Sequence, residues 1–218
     1  MTLAIFDLDN TLIAGDSDHA WGEFLVEQGI VDQQVYKKAN DQFYQDYLDG
    51  KLDMMRYLEF SLAPLAAHTT EQLLTWRANF VETKIRPLLL TQALELLQTH
   101  RQQGDYLLII TATNRFVTEP IAELLGVDAL IATDPEIING QYTGKIVGTP
   151  SFQHGKVTRL EQWLNENRQS LSDSWFYSDS HNDLPLLQQV DRPVAVDPDQ
   201  TLFKYASEQG WPIISLRK

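Results

Sequence analysis

The sequence predicts an α/β fold: a doubly wound parallel sheet with a helical segment inserted after the first strand. Three observations carry this reading. Short, mostly apolar runs at residues 3–6, 106–110, 128–132, 175–177 and 193–196 lack the polar alternation of half-exposed strands, so they read as buried ones. From Pro87 onward these runs alternate with amphipathic helices, as in a parallel sheet covered on both faces. Between the first run and Pro87 the apolar residues recur only at helical spacing.

Each element has its own signal. Residues 3–6 are apolar throughout and end at Asp7. A helix over 18–28 places Trp21, Phe24, Leu25 and Gln28 on one face and stops at Gly29. Residues 33–48 carry the stripe Tyr36, Ala39, Phe43, Tyr44, Tyr47 and Leu48, with Gly50 beyond it. A third helix spans 53–65 and ends near Pro64. Thr69, followed at three residues by Gln72, starts a fourth helix with the stripe Leu73, Trp76, Phe80 and Val81. These aromatics read as the core of a small helical unit. The division is therefore 1–14 with 87–218 as a sheet-bearing core, and 15–86 as a helical insert.

Beyond Pro87 a helix over 88–102 ends at Gly104, and the strand 106–110 runs into Thr111, Ala112, Thr113 and Asn114. Phe116, Val117, Ile121, Leu124 and Leu125 define the next helix, closed by Gly126. After the strand 128–132, residues 136–144 form a hairpin around Asn139-Gly140, a strong short-range turn signal. Gly155-Lys156 opens a helix to about Asn167. The strand 175–177 leads into Ser178-Asp179-Ser180-His181-Asn182-Asp183, and Pro185 suits the first turn of a following helix. The strand 193–196, a helix over 199–209 and an edge strand at Ile213-Ile214-Ser215 complete the chain.

Composition narrows the function. With 17 basic and 30 acidic residues the formal net charge is −13, which opposes a nucleic-acid or anionic-membrane surface. A phosphate ester in a local pocket is not opposed. The chain has no cysteine, which removes disulfides, thiolate catalysis and cysteine metal sites. No apolar stretch approaches the roughly 20 residues of a membrane span, and the start of the chain resembles a strand rather than a signal peptide. The expectation is a soluble cytoplasmic protein.

Polar chemistry gathers at strand ends: Asp7 and Asp9, Thr111, the helix start at Lys156, and Asp179 with Asp183. In a doubly wound sheet the carboxyl ends of parallel strands open onto one rim, so residues distant in sequence converge there. Two carboxylates as close as Asp7 and Asp9 repel unless a cation holds them, and a divalent ion with oxygen ligands is the simplest candidate. The plainer readings are a solvated acidic turn, a strand-end hydroxyl, a solvated lysine, and helix caps at Asn182 and Asp183.

Asp7-Leu8-Asp9-Asn10-Thr11-Leu12 resembles the first motif of the haloacid dehalogenase superfamily. Thr111, Lys156 and Ser178-Asp179-Ser180-His181-Asn182-Asp183 fit its second, third and fourth motifs, in order along the chain. The helical insert and the hairpin resemble the phosphoserine-phosphatase-like branch, whose insert is a cap over the active site. The resemblance implies a Mg²⁺-dependent phosphatase acting on a small phosphate monoester. Asp7 would be the nucleophile, forming an aspartyl-phosphate, and Asp9 the general acid and then base. Mg²⁺ would be held by the Asp7 and Asp179 carboxylates and the Asp9 backbone carbonyl, with Asp183 ordering its water shell or Lys156. Thr111, Lys156 and Asn182 would bind phosphoryl oxygens. Dehalogenation has no use for the second aspartate or the metal. A phospho-accepting regulatory domain would have no use for the insert. A phosphomutase would use Asp9 as well.

Substrate choice falls to the insert. Asp16, Asp18 and Glu23, with His19 and Trp21 between them, suit a cationic, ring-bearing leaving group through charge pairing and cation–π contact. A solvated acidic loop and a core tryptophan are the plainer reading. Phosphoserine phosphatases usually follow the second-motif serine with two glycines, whereas this chain has Thr111-Ala112-Thr113. Together with Gly15-Asp16-Ser17-Asp18-His19 and Thr111-Ala112-Thr113-Asn114-Arg115-Phe116, the whole chain resembles bacterial members of this branch that act on histidinol phosphate. Phosphoserine and a broad range of small phosphates are the alternatives.

Overall fold

The computed structural model describes residues 2–217. The chain runs β1 (Leu3–Phe6), α1 (Ser17–Glu27), α2 (Gln33–Leu48), α3 (Met54–Ala67), α4 (Thr70–Phe80), α5 (Thr91–Gln103), β2 (Tyr106–Asn114), α6 (Arg115–Leu125) and β3 (Ala129–Ile138). It continues through β4 (Gln141–Val147), α7 (His154–Asn167), β5 (Trp175–Ser178), α8 (Leu184–Leu187), β6 (Arg192–Val196), α9 (Gln200–Gln209) and β7 (Ile213–Ile214). The strands form one seven-stranded sheet of order β4-β3-β2-β1-β5-β6-β7. All neighbours are parallel except the β3–β4 hairpin.

The first apolar run sits at the sheet's centre because both its faces are covered. Leu3 and Ile5 join Leu108, Leu160, Phe176 and Leu202 on one face, while Ala4 and Phe6 join Leu97, Leu107, Phe116 and Tyr177 on the other. The second cluster continues into the insert without a break. Trp21 stacks on Phe24 with centroids 5.5 Å apart, and meets Phe80 and Phe116 edge-on at 5.2 and 5.6 Å. Trp21 thus joins the insert's helices to α6 of the sheet-bearing part.

The two connections of the insert lie side by side. The Ala14 N–H donates to the Leu88 carbonyl at 2.8 Å, and Ile13 bridges Leu89 in antiparallel fashion. On its far side α3 packs on β4, the Thr70 hydroxyl donates to the Gly140 carbonyl at 2.6 Å, and Arg77 donates to the Phe116 carbonyl at 3.0 Å. Among the described residues, no helix is long and apolar enough to cross a membrane.

Several boundaries differ from expectation, each for a local reason. The third helix does not end at Pro64 but carries it inside, with its ring buried, and runs on to Ala67. Pro87 occupies a 3-10 turn over Arg86–Leu88, so the next helix starts only at Thr91. The strand 128–132 is longer because it passes straight into the hairpin and becomes β3. The hairpin turn itself has φ of 52° at Asn139 and 78° at Gly140, the double positive that a tight two-residue turn requires.

Gly155, at the start of α7, has no room for a side chain: a Cβ there would lie 2.0 Å from the Pro150 carbonyl oxygen. Gly155→Ala should therefore cost about 1–3 kcal/mol, as overpacking does, measured by chemical denaturation; an unchanged midpoint would show that the 150–155 turn can yield.

Candidate active site

The strand order reverses at β1, with β2 on one side and β5 on the other. A crevice opens at such a point outside the carboxyl ends of the strands. Asp7 is the first residue beyond β1, and its N–H extends the ladder by donating to the Tyr177 carbonyl at 2.9 Å. The side chain is thereby fixed at the rim. Lys156, in the first turn of α7, donates to Asp7 Oδ1 at 2.7 Å and reaches the two oxygens of Asp183 at 2.7 and 2.8 Å. Asp183 also accepts from the Ser178 hydroxyl at 2.7 Å. All three charged groups are buried.

Thr11 stands between Asp7 and Asp179. Its hydroxyl is 3.4 Å from Asp7 Oδ2 and 3.3 Å from Asp179 Oδ1, and it accepts from the Asp179 N–H at 3.1 Å. Three carboxylates therefore gather around one ammonium. Burial pushes the Asp7 carboxyl up against the pull of Lys156. Burial, followed by the charges of Asp7 and Asp183, holds Asp179 well above the usual carboxylate range. Lys156 is held charged because its two acid neighbours outweigh its burial. The cluster is short of positive charge, and its donors are hard oxygens. Both properties fit a divalent ion such as Mg²⁺ better than a softer metal. Among the described residues no group of three His, Cys, Asp or Glu side chains forms a metal cluster, so the fit rests on two carboxylates and needs backbone oxygen to complete it.

Asp9 faces away from this cluster. Its Oδ1 accepts from the Ser17 N–H at the start of α1, at 2.6 Å. Its Oδ2 accepts from the Thr113 hydroxyl at 2.8 Å and lies 3.4 Å from the Thr111 hydroxyl. Burial, with Asp16 adding to it, raises the Asp9 carboxyl to about 6. One carboxyl next to Lys156 and another held by two hydroxyls and a helix N–H meet different partners, and can divide nucleophilic and acid–base work.

Above this floor lies a small cavity, with about 40 Å³ open to the centre of a water molecule. Asp7, Asp9, Thr111 and Thr113 line its base, and Asp16, Asp18, His19, Asn40, Phe43, Tyr44, Tyr47 and Tyr57 of the insert line its walls. Burial raises both Asp16 and Asp18 to about 7. Among the described residues, no arginine or lysine lines this cavity.

The chain matches the family model for haloacid dehalogenase-like hydrolases over residues 4–188. It belongs to that family. It is 46% identical to a histidinol-phosphatase of Neisseria meningitidis serogroup C (strain 8013), over 99% of both chains. It is also similar to a solved protein of unknown function from Bordetella pertussis Tohama I, with 45% identity, a TM-score of 0.93, and coverage of 99% of this chain and 100% of that one. A phosphoserine phosphatase solved as a phospho-aspartyl intermediate analogue shares the fold at a TM-score of 0.71 and 18% identity, over 100% of this chain and 94% of that one.

In this member of the family, Asp7, Thr11, Lys156, Asp179 and Asp183 meet in one cluster, with Asp9 and Thr111 beside it. Asp183 occupies the N-cap position of α8, yet makes no side-chain cap hydrogen bond, because its carboxylate is turned to Lys156 and Ser178. The Asn182 amide is held between Gln153, which donates to it at 3.0 Å, and the Tyr47 carbonyl of the insert, to which it donates at 3.4 Å. Two substrate-side expectations are corrected. Trp21 does not line the cavity but is buried in the core, since its ring bridges Phe24, Phe80 and Phe116. Glu23 points off the cavity, 4.0 Å from His19, with its side chain 44% exposed.

Asp16, Asp18 and His19 do line the cavity, and each also has a structural task. Asp16 caps α1 by accepting from the His19 N–H at 2.7 Å. Asp18 accepts from the Asn114 amide at 3.3 Å, and His19 is stacked on Tyr44 and 3.1 Å from Asp41. Sequence reasoning missed Thr113, Tyr44, Tyr47 and Tyr57 as cavity residues. For Thr113 the signal was incomplete: on a regular strand it would share the face of Thr111, two residues before it, but β2 is irregular between Ile110 and Asn114. The tyrosines gave none, because a helical aromatic stripe reads the same whether it faces a core or a cavity.

Lys156→Met should leave Asp7 and Asp183 buried without a counter-charge and cost about 3–5 kcal/mol, measured by urea denaturation without added divalent cations. A loss near zero would mean that the two carboxyls share a proton instead of relying on the ammonium.

Proposed function

We propose that this hydrolase is a Mg²⁺-dependent phosphomonoesterase whose substrate is histidinol phosphate. Asp7 attacks phosphorus through a carboxylate oxygen, and Asp9 gives its proton to the departing alcohol oxygen. The resulting aspartyl-phosphate is hydrolysed by a water whose proton returns to Asp9, releasing phosphate. A carboxyl raised to about 6 retains enough acid to serve the first step and enough base for the second. Lys156, buried beside Asp7, and Thr111 stabilise charge on the phosphoryl oxygens. Asn182 joins them by exchanging its contact with the Tyr47 carbonyl for a phosphoryl oxygen.

Asp7, Asp179 and the Asp9 carbonyl would hold Mg²⁺, with Asp183 ordering the surrounding groups through Lys156. The bound ion would offset the repulsion between the Asp7 carboxylate and a dianionic phosphate. Asp9 enters this set by its backbone alone, since its carboxyl is committed to Ser17 and Thr113. The helices of residues 15–86 act as the cap, and 1–14 with 87–218 as the catalytic core.

The substrate reading is carried by one observation: the cavity above the catalytic carboxylates has acids and aromatic rings but no arginine or lysine among the described residues. Phosphoserine brings a carboxylate, which this wall would repel. Histidinol phosphate brings an amine and an imidazole and no carboxylate, which suits Asp16, Asp18 and the rings of Tyr44 and Tyr57. Arg56, the basic residue of α3, is exposed and outside the cavity lining. The 46% identity to the meningococcal histidinol-phosphatase supports the same reading.

Comparison of kcat/KM for histidinol phosphate, phosphoserine and p-nitrophenyl phosphate tests it. Histidinol phosphate should lead phosphoserine by about a hundredfold or more, since a misplaced charge leaves buried groups unpaired; equal values would make the protein a generalist. Asp7→Asn should keep the fold by circular dichroism and lose turnover, and EDTA should abolish the activity of the unaltered protein until Mg²⁺ is restored. Steady turnover by the variant would remove Asp7 as nucleophile.

A further inference from the structure

Thr113 has no part in the phosphate chemistry above, yet its hydroxyl makes the shorter of the two side-chain contacts to Asp9, 2.8 Å to Oδ2 against 3.4 Å for Thr111. We propose that Thr113 is a positioning residue for Asp9, fixing the carboxyl oxygen that exchanges its proton with the leaving group. The assignment rests on the phosphatase reading of the site.

The Asp9 carboxyl is held at both ends. Its Oδ1 is taken by the Ser17 N–H at 2.6 Å, a group that can only donate. The transferable proton therefore belongs on Oδ2, the oxygen the hydroxyls face. A carboxyl oxygen has about two acceptor directions, so Thr113 occupies one and leaves the other for the proton. In the first step that proton passes to the leaving oxygen as the P–O bond breaks; in the second it is regained from the attacking water. A hydroxyl on Oδ2 holds the carboxyl plane through both.

Thr111 is poorly placed for the same task. Its oxygen already accepts from the Thr113 N–H at 3.2 Å, and its proton is free to turn toward a phosphoryl oxygen when one arrives. Thr113 then remains as the side chain on Oδ2. The backbone explains how both hydroxyls reach the rim. The register of β2 against β3 shifts between Ile110 and Asn114, and the Thr133 hydroxyl donates to the Ala112 carbonyl at 2.8 Å inside that irregularity. Strand irregularities of this kind re-aim side chains. Thr113 is 5% exposed, so water competes little for its hydroxyl.

Leaving-group dependence is a readout that a purely structural role would not move. An alkyl phosphate needs a proton on its leaving oxygen, whereas p-nitrophenolate leaves without one. The kcat/KM of the unaltered enzyme, Thr113→Val and Thr113→Ser is measured with Mg²⁺ on histidinol phosphate and on p-nitrophenyl phosphate. Taking the ratio of the two values on one preparation removes any difference in folded fraction. For Thr113→Val the ratio should fall about tenfold or more against the alkyl ester, a part of the usual general-acid contribution, and Thr113→Ser should restore it. An unchanged ratio, whether both values fall together or neither falls, would overturn the assignment and leave the phosphatase reading standing. Absence of turnover of both esters by the unaltered enzyme would overturn the phosphatase reading and the assignment with it.

Discussion

The interaction on which the rest of the site depends is the buried contact of Lys156 with Asp7 and Asp183. Each of these groups would be costly to bury alone, and together they draw two strand ends and one helix start to a single point. Asp7 extends β1, Asp183 follows β5, and Lys156 opens α7 behind a glycine that admits no side chain. The ammonium is shared by two carboxylates, and Asp179 stands 3.3 Å from the same Thr11 hydroxyl that touches Asp7. The arrangement is left short of positive charge, which is the electrostatic basis for assigning a divalent cation to it.

Separation of Asp9 from that cluster matters as much as the cluster itself. Asp7 and Asp9 are two residues apart, but their carboxyls meet different partners: an ammonium in one case, a helix N–H and two hydroxyls in the other. Burial raises both groups, Asp7 to about 7 and Asp9 to about 6, but only Asp7 has an ammonium beside it to draw it back toward the charged form expected of a nucleophile. Ser17 belongs to the insert and Thr113 to the core, so the orientation of Asp9 depends on the two parts being packed together. Trp21, wedged among Phe24, Phe80 and Phe116, contributes to that packing beside the contact of α3 with β4.

Much of the fold was legible in the chain, and for a physical reason. The runs 3–6, 106–110 and 175–177 carry no polar alternation, and such runs are stable only between two covered faces. Apolar stripes at helical spacing, ended by Gly29, Gly104 and Gly126, marked helices that the structure contains. The departures lie where local signals were overruled by packing. Pro64 is accommodated within α3 because its ring is buried there, and β3 is extended by the hairpin that α3 packs against.

The sequence by itself determined the fold class, the order of the strands' polar ends, and the identity of the chemical groups at the rim, because strand direction alone brings those ends together. It also supplied the acids and aromatics of the insert. Which of these face the cavity was decided only by the tertiary structure. Trp21 and Asp18 are three residues apart on one helix, yet one is sealed in the core and the other lines the cavity. Tyr44, Tyr47 and Tyr57 belong to stripes indistinguishable in sequence from those of core helices. Thr113 reaches Asp9 because β2 is irregular just there. A helix's rotation about its axis and a strand's local register are set by contacts between distant parts of the chain, which hydrophobic periodicity does not encode.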